Sequence, residues 1–306
     1  MSRVLHWFRS DLRLHDNTSL AAAQAEGEVL ALFVATPKQW DLHDDAPIKR
    51  DYWRRNLADL VTTLGKRGIP LLFAEVPGYA DLPALFEQLI PQLQISAVHC
   101  NREYPVHELR RDEAVAAVCH SLDTGFHQHD DQTLVPPERI RNKSGLPFKV
   151  FTPYSRVMRE YLLQYPLASA AVIRKQAKPV FTVPEYCKPL AALSWPAAQA
   201  HWGKLWPAGE ACAHKQLARF CEERMMVYRD TRDLPGVDGT SGISHMLAAG
   251  VLSVRHCWRE SLQWQDNSGA VTWQNELLWR DFYKSIMWYF PRVCMKQAWK
   301  QDVGYV

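Results

Sequence analysis

The chain has 306 residues, 47% of them hydrophobic and 23% charged, fractions that exclude a disordered, collagenous or coiled-coil protein. The length exceeds one small domain and predicts two. Residues 1–135 carry 13 Lys and Arg against 19 Asp and Glu, a net of −6, whereas residues 136–306 carry 23 against 14, a net of +9. Tryptophan divides along the same line: Trp7, Trp40 and Trp53 stand near the N-terminus, and the other nine of the 12 fall between Trp195 and Trp299. An acidic first half and a basic, tryptophan-rich second half predict that the C-terminal part meets an anion.

In chain order, residues 4–8 read as a short buried strand, 9–17 as a polar loop and 19–25 as an alanine-rich helix. Arg9, Asp11 and Arg13 interrupt the N-terminus where a secretory signal needs an apolar core. The apolar run 29–35 is a second strand and is far too short to span a membrane. An amphipathic helix follows, with Tyr52, Leu57, Leu60, Val61 and Leu64 on one side. The alternation continues with a strand over 70–75, a helix over 82–93, a strand over 95–101, a helix over 106–122 and a strand over 126–129. Strands separated by helices of this length predict an α/β domain over residues 1–130 with a doubly wound parallel sheet. Ligands of such sheets bind at the carboxyl ends of the strands.

Residues 131–200 are punctuated by nine prolines and hold no period for long, so they read as an irregular connector with one helix over 154–165. Beyond residue 200 the periodicity is helical, over 211–226, 242–249, 254–263 and 271–289, and predicts an all-α domain from 201 to 306. The seven cysteines form no CxxC pair and read as reduced thiols of a cytoplasmic protein.

No segment alone is a generic catalytic motif; GxGxxG, the P-loop, HExxH and GxSxG are all absent. The missing GxGxxG counts against a nicotinamide dehydrogenase. His127 and His129 would share one strand face, and a structural role is expected for them because no third ligand is spaced nearby, so no metal site is expected.

Four stretches taken together are more specific: WFRSDLRLHDN at 7–17, KVFTPYSR at 149–156, YRDTRDLPGVDGTSGIS at 228–244 and WQNELLWRDFY at 273–283. In this order and at these separations they resemble the photolyase/cryptochrome family, most closely the bacterial class I photolyases that repair cyclobutane pyrimidine dimers. The resemblance runs from Met1 to about Cys294. It implies an N-terminal α/β domain for an antenna chromophore and a helical domain for FAD and UV-damaged DNA.

By this resemblance, Tyr228, Thr240, Ser241, Gly242, Ile243, Ser244, Trp273 and Arg280 would hold FAD. Small hydroxyl residues at a helix start suit a pyrophosphate, because they offer O–H and backbone N–H donors. For DNA the matching positions are Arg232 and the helix run Glu276, Leu277, Leu278, Trp279, Arg280, Asp281, Phe282 and Tyr283. Within it Glu276 and Trp279 would act on the lesion itself, the indole by stacking on the flipped dimer and the carboxylate by hydrogen bonding a pyrimidine edge. His43, His107 and Glu108 fall where folate-type photolyases contact 5,10-methenyltetrahydrofolate, although the family pattern has Asn where this chain has His107. A segment near Cys294 would close that pocket.

The family continues past the length of this chain, through helices that carry most of the isoalloxazine contacts and the tryptophans that photoreduce the flavin. The resemblance therefore implies a C-terminally truncated chain with an incomplete FAD site, and the divergent tail 296–306 points to a frameshift or premature stop. Leu277, Leu278, Phe282, Ile286 and Phe290 are expected to lack some apolar partners. The implied function is light-driven dimer repair by a cytoplasmic monomer. The alternatives are a cryptochrome-like blue-light sensor and a remnant inactive on its own.

Overall fold

The computed structural model describes residues 2–295 and Gln297; the rest of the divergent tail, with Trp299, lies outside the described residues. Five parallel strands, β1 (Arg3–Phe8), β2 (Glu28–Ala35), β3 (Leu71–Glu75), β4 (Ile95–Asn101) and β5 (Gly125–His129), form one sheet in the order β3-β2-β1-β4-β5. Between them run α1 (Thr18–Glu26), the short α2 (Pro37–Leu42), α3 (Pro47–Gly65), α4 (Leu82–Leu93) and α5 (Val106–Ser121). The expected doubly wound sheet is present.

Strand alternation sorts the core onto two faces. Leu5, Trp7, Leu30, Leu32 and Val98 point toward α4 and α5. Val4, Phe8, Ala31, Phe33 and Ala97 point the other way, into a cluster that runs on through Tyr154, Phe220, Trp273 and Phe282 of the C-terminal half. The helices of the second half are therefore built onto one face of the sheet through a shared core. Val61 departs from its expected place: it is 41% exposed, while α3 buries Asp51, Tyr52, Asn56, Leu57, Leu60 and Leu64.

The connector holds α6 (Phe151–Gln164), which begins before Pro153 because a proline is tolerated in the first turn of a helix. It also wraps the sheet: Gln176 exchanges hydrogen bonds with the backbone of Val29, and the Lys188 N–H donates to the carbonyl of Phe73. The helical half comprises α7 (Ala200–Leu205), α8 (Glu210–Glu223), α9 (Tyr228–Thr231), α10 (Ser244–Ala248), α11 (Val254–Ser261) and α12 (Ser268–Tyr289). The short α7 and α9 lack a usable period and are additions to the expected set. Ser253 caps α11 through His256 N, and Asn267 caps α12 through the N–H groups of Gly269 and Ala270. No helix among the described residues is long and apolar enough to cross a membrane.

A buried ionic network joins the halves. Asp131 is flanked by Arg13 and Arg255, and Asp16 takes Arg255, Arg259 and the Ser253 hydroxyl. Opposite charges at this range hold the Asp131 carboxyl well below the usual carboxylate range despite its burial. Gly250 sits at the same seam with φ +66°, and a Cβ there would lie 2.0 Å from the Ser10 carbonyl oxygen.

Candidate functional site

The largest concentration of candidate residues surrounds a cleft of about 550 Å³ between α9, α10 and α12. Trp273, Glu276, Leu277, Arg280 and Lys284 line it from α12, at spacings of three and four residues that form one stripe. Tyr228 enters from α9, and its ring meets Phe220 edge-on at 5.7 Å, beside Trp273 at 5.3 Å from the same phenyl. Thr240, Ser241, Gly242 and Ile243 form the loop leading into α10, whose first residue is Ser244. Gly242 has φ +64°, a turn conformation that favours glycine. The 240–244 run is thus mostly loop, with the helix starting later than residue 242; Gln216 pins it by donating to the Ser241 carbonyl at 2.9 Å.

Lys284 and Gln132 are cleft residues that the sequence reading missed. Lys284 lies four residues beyond Arg280 on the same stripe, so its spacing could have revealed it. Gln132 comes from the connector and carries no such signal. Its backbone carbonyl accepts from Arg280 and its side-chain oxygen from Lys284 at 2.8 Å. Burial and the neighbouring Arg280 guanidinium push the Lys284 amine down to about 7.

The run 276–283 does not present all its side chains to a surface. Leu277 contributes to the cleft wall, but Leu278, Asp281 and Phe282 are buried in the shared core, so their expected DNA contacts are corrected. Asp281 instead accepts from the Leu134 N–H at 2.6 Å, and burial raises its carboxyl to about 7. The same burial corrects the expectation of unpartnered apolar faces: Leu277, Leu278, Phe282 and Ile286 are each 8% exposed or less, covered by α6, α9 and neighbouring turns, and Phe290 packs against the core. Glu276, Trp279 and Tyr283 remain accessible, Tyr283 the most. Glu276 is ion-paired with Arg232, and Trp279 stacks on Phe151 and neighbours Tyr283 rather than lining the cleft.

A smaller cavity of about 120 Å³ opens at the carboxyl ends of β1 and β2, walled by Trp7, Phe33, Trp40, Trp53 and Tyr79. His43 and Glu108 line it; His107 does not, and its ring lies 5.5 Å from that of His43. The Tyr79 hydroxyl donates to Glu108 Oε1 at 3.1 Å, while Glu108 Oε2 is buried with no partner among the described residues. Burial and the nearby Glu103 charge raise the Glu108 carboxyl above its ordinary value. The turn Pro291–Met295 returns to α5, bringing Cys294 close to the Val106 amide and Glu108.

Near His127 the expectation of no third ligand is corrected. Strand β4 supplies His99 and α1 supplies Glu26, and these three gather ligand atoms within 4.8 Å of one another. His129 reaches His99 at 3.0 Å.

The DNA photolyase profile matches residues 4–179, more than half of the chain. The chain belongs to the DNA photolyase family. It is 36% identical over 293 residues to the deoxyribodipyrimidine photo-lyase of Vibrio cholerae, covering 92% of this chain and 61% of that protein. It is 34% identical over 319 residues to the Escherichia coli deoxyribodipyrimidine photo-lyase, covering all of this chain and 65% of that one. Among solved structures, the class III photolyase of Agrobacterium tumefaciens superposes with a TM-score of 0.81 at 25% identity, over 96% of this chain and 60% of the other. The Synechocystis cryptochrome, at TM-score 0.77 and 22% identity over 95% of this chain and 62% of that one, shares the fold. The chain thus spans less than two thirds of the length of these photolyase-family relatives.

Proposed function

We propose that this chain serves light-driven repair of cyclobutane pyrimidine dimers in DNA, with FAD in the cleft of α9, α10 and α12 and a folate antenna in the β1–β2 cavity. The observation that carries the reading is the convergence of Tyr228, Thr240, Ser241, Ser244, Trp273 and Arg280, drawn from three separate elements, on one cleft. Its donor set fits a dinucleotide: the hydroxyls of Thr240, Ser241 and Ser244 line the cleft together with Arg280, Lys284 and the Trp273 indole. The hydroxyls would donate to a pyrophosphate, and Arg280, joined by Lys284 when protonated, would balance its negative charge. FAD, when bound and reduced, supplies the electron that opens the cyclobutane ring.

Glu276 lines the cleft as an acceptor and is ion-paired with the cation Arg232. Glu276 would accept from a pyrimidine N–H, while Arg232 would contact backbone phosphate. Trp279 and Tyr283 would offer their accessible edges to the extruded base. In the smaller cavity Glu108 Oε2, which has no partner among the described residues, fits a flat heteroaromatic ring bearing N–H donors, such as the pterin of 5,10-methenyltetrahydrofolate.

The test is the absorption spectrum of the purified 306-residue chain, followed by repair of a dimer-containing oligonucleotide in light and in darkness. Flavin bands near one per chain with light-dependent repair are expected. Flavin and dimer binding without repair would favour a sensor, and a colourless protein or one with a folate band alone would sink autonomous repair.

A further inference from the structure

Three imidazoles from distant parts of the chain meet where the loop after β1 packs on the helical half. His15 lies in that loop, His214 in α8 and His256 in α11, and their ring centroids are 4.7–4.8 Å apart in all three pairs. Glu210 stands beside them, with Oε1 3.8 Å from His214 Nε2. The backbone N–H groups of Leu14 and His15 donate to its two oxygens at 2.9 and 2.6 Å, which fixes the carboxylate in place. One ligand atom each from His15, Glu210 and His214 lies within 4.8 Å of the others. None of these residues lines either cavity described above.

We propose that His15, His214 and Glu210 bind a divalent transition-metal ion of the zinc class and so clip the α/β half to the helical half. Two imidazole nitrogens and a carboxylate oxygen are a donor set such ions accept, at about 2.0–2.2 Å each. Ligands around one ion then stand about 3.3 Å apart, so the 3.8 Å pair needs a closure of about half an ångström and the other pairs, within 4.8 Å, at most about 1.5 Å. His15 is exposed while His214 and Glu210 are half-buried, which leaves an entry path and a fourth position for water.

An outer shell is already present. His214 Nδ1 is 3.1 Å from His256 Nε2, and His256 Nδ1 is 3.7 Å from Glu260. When His214 donates its Nδ1–H to His256, its lone pair sits on Nε2, the nitrogen turned toward Glu210. The same four side chains could instead be a hydrogen-bonded cluster with no ion, and metal uptake separates the two.

The experiment titrates the full, chelator-stripped chain with Co(II), whose visible absorption reports imidazole and carboxylate ligation. Saturation at one Co(II) per chain and competition by Zn(II) are expected. Affinity should fall by about 100-fold or more in His15→Ala and His214→Ala, and by roughly 10-fold in His256→Ala, where an outer-shell partner is lost. Unchanged circular dichroism of His15→Ala, an exposed position, separates lost ligation from lost fold. Absence of saturable Co(II) absorption in the parent chain overturns the proposal. So does absorption that survives in both His15→Ala and His214→Ala, or that disappears in His127→Ala, which would move the ion to the Glu26–His99–His127 cluster.

Discussion

Trp279 lies flat on Phe151, with ring centroids 3.7 Å apart and planes within 8° of parallel. One face of this indole is therefore committed to the connector helix α6, and the nearly parallel Tyr283 ring stands 5.5 Å away. A base that stacks here must use the part of the indole that Phe151 leaves open or displace a ring. Trp279→Ala is expected to weaken binding of a dimer-containing oligonucleotide by about 1–3 kcal/mol, whereas Trp279→Phe should retain most of it. Equal affinity in all three proteins would remove Trp279 from the lesion contacts.

Arg232 is ion-paired with Glu276, which lines the cleft. Arg232→Ala should lower affinity for damaged and undamaged DNA alike and reduce the slope of log K against log salt by roughly one. A slope unchanged across several salt concentrations would mean that Arg232 serves only to orient Glu276.

The Glu108 carboxylate has one oxygen taken by Tyr79 and one without a partner among the described residues. Glu108→Ala is expected to weaken 5,10-methenyltetrahydrofolate binding by roughly 10–100-fold, the equivalent of about 1.5–3 kcal/mol for a hydrogen bond to a charged group. Folate titration followed by absorbance checks this, and flavin content should not change.

Asp281 titrates at about 7 in the folded chain against an ordinary 3.8, because burial outweighs the Arg280 charge beside it. Between about pH 4 and pH 7 the folded chain keeps a proton that the unfolded chain has released, so stability falls as pH rises through that window. Lys284 acts in a separate window with the opposite sign: its amine, pushed from 10.5 to about 7, makes stability rise with pH above 7. Asp281→Asn keeps an acceptor for the Leu134 N–H and should abolish the decline below pH 7. Denaturant midpoints across pH 4–7 that run parallel in both proteins would contradict this.

Asp131 neutralises Arg13 from its own half and Arg255 from the helical half. Asp131→Ala leaves both guanidinium groups buried without it and is expected to cost about 3–5 kcal/mol. Thermal unfolding should show the loss as a large fall in Tm. Replacing Asp233, which is exposed and paired at the surface with Arg232, should change little.

Much of the architecture was legible because it is written locally. The bounds of α4 and β4 follow from apolar spacing and flanking turn residues, and β1 and β2 from continuous apolar runs buried on both faces. The stripe Trp273, Glu276, Arg280 and Lys284 is likewise a matter of helical period. The errors came where a second element decided. Val61 fits the apolar side of α3 by type, yet α3 turns Asp51 and Asn56 inward, to partners Arg55 and Gly209. Leu278 and Phe282 look available on an isolated helix and are covered by α6 and α9 once it packs.

By itself the sequence determined the parallel α/β order, the helical second half and the family, since each rests on periods and motifs within a few dozen residues. Only the tertiary structure decided which side chains face a cavity and which meet one another. Gln132 with Arg280, Glu210 with His15 and Asp16 with Arg255 are pairs about 150 to 240 residues apart. No local propensity encodes such contacts; they form when burial of the shared core brings the two halves together.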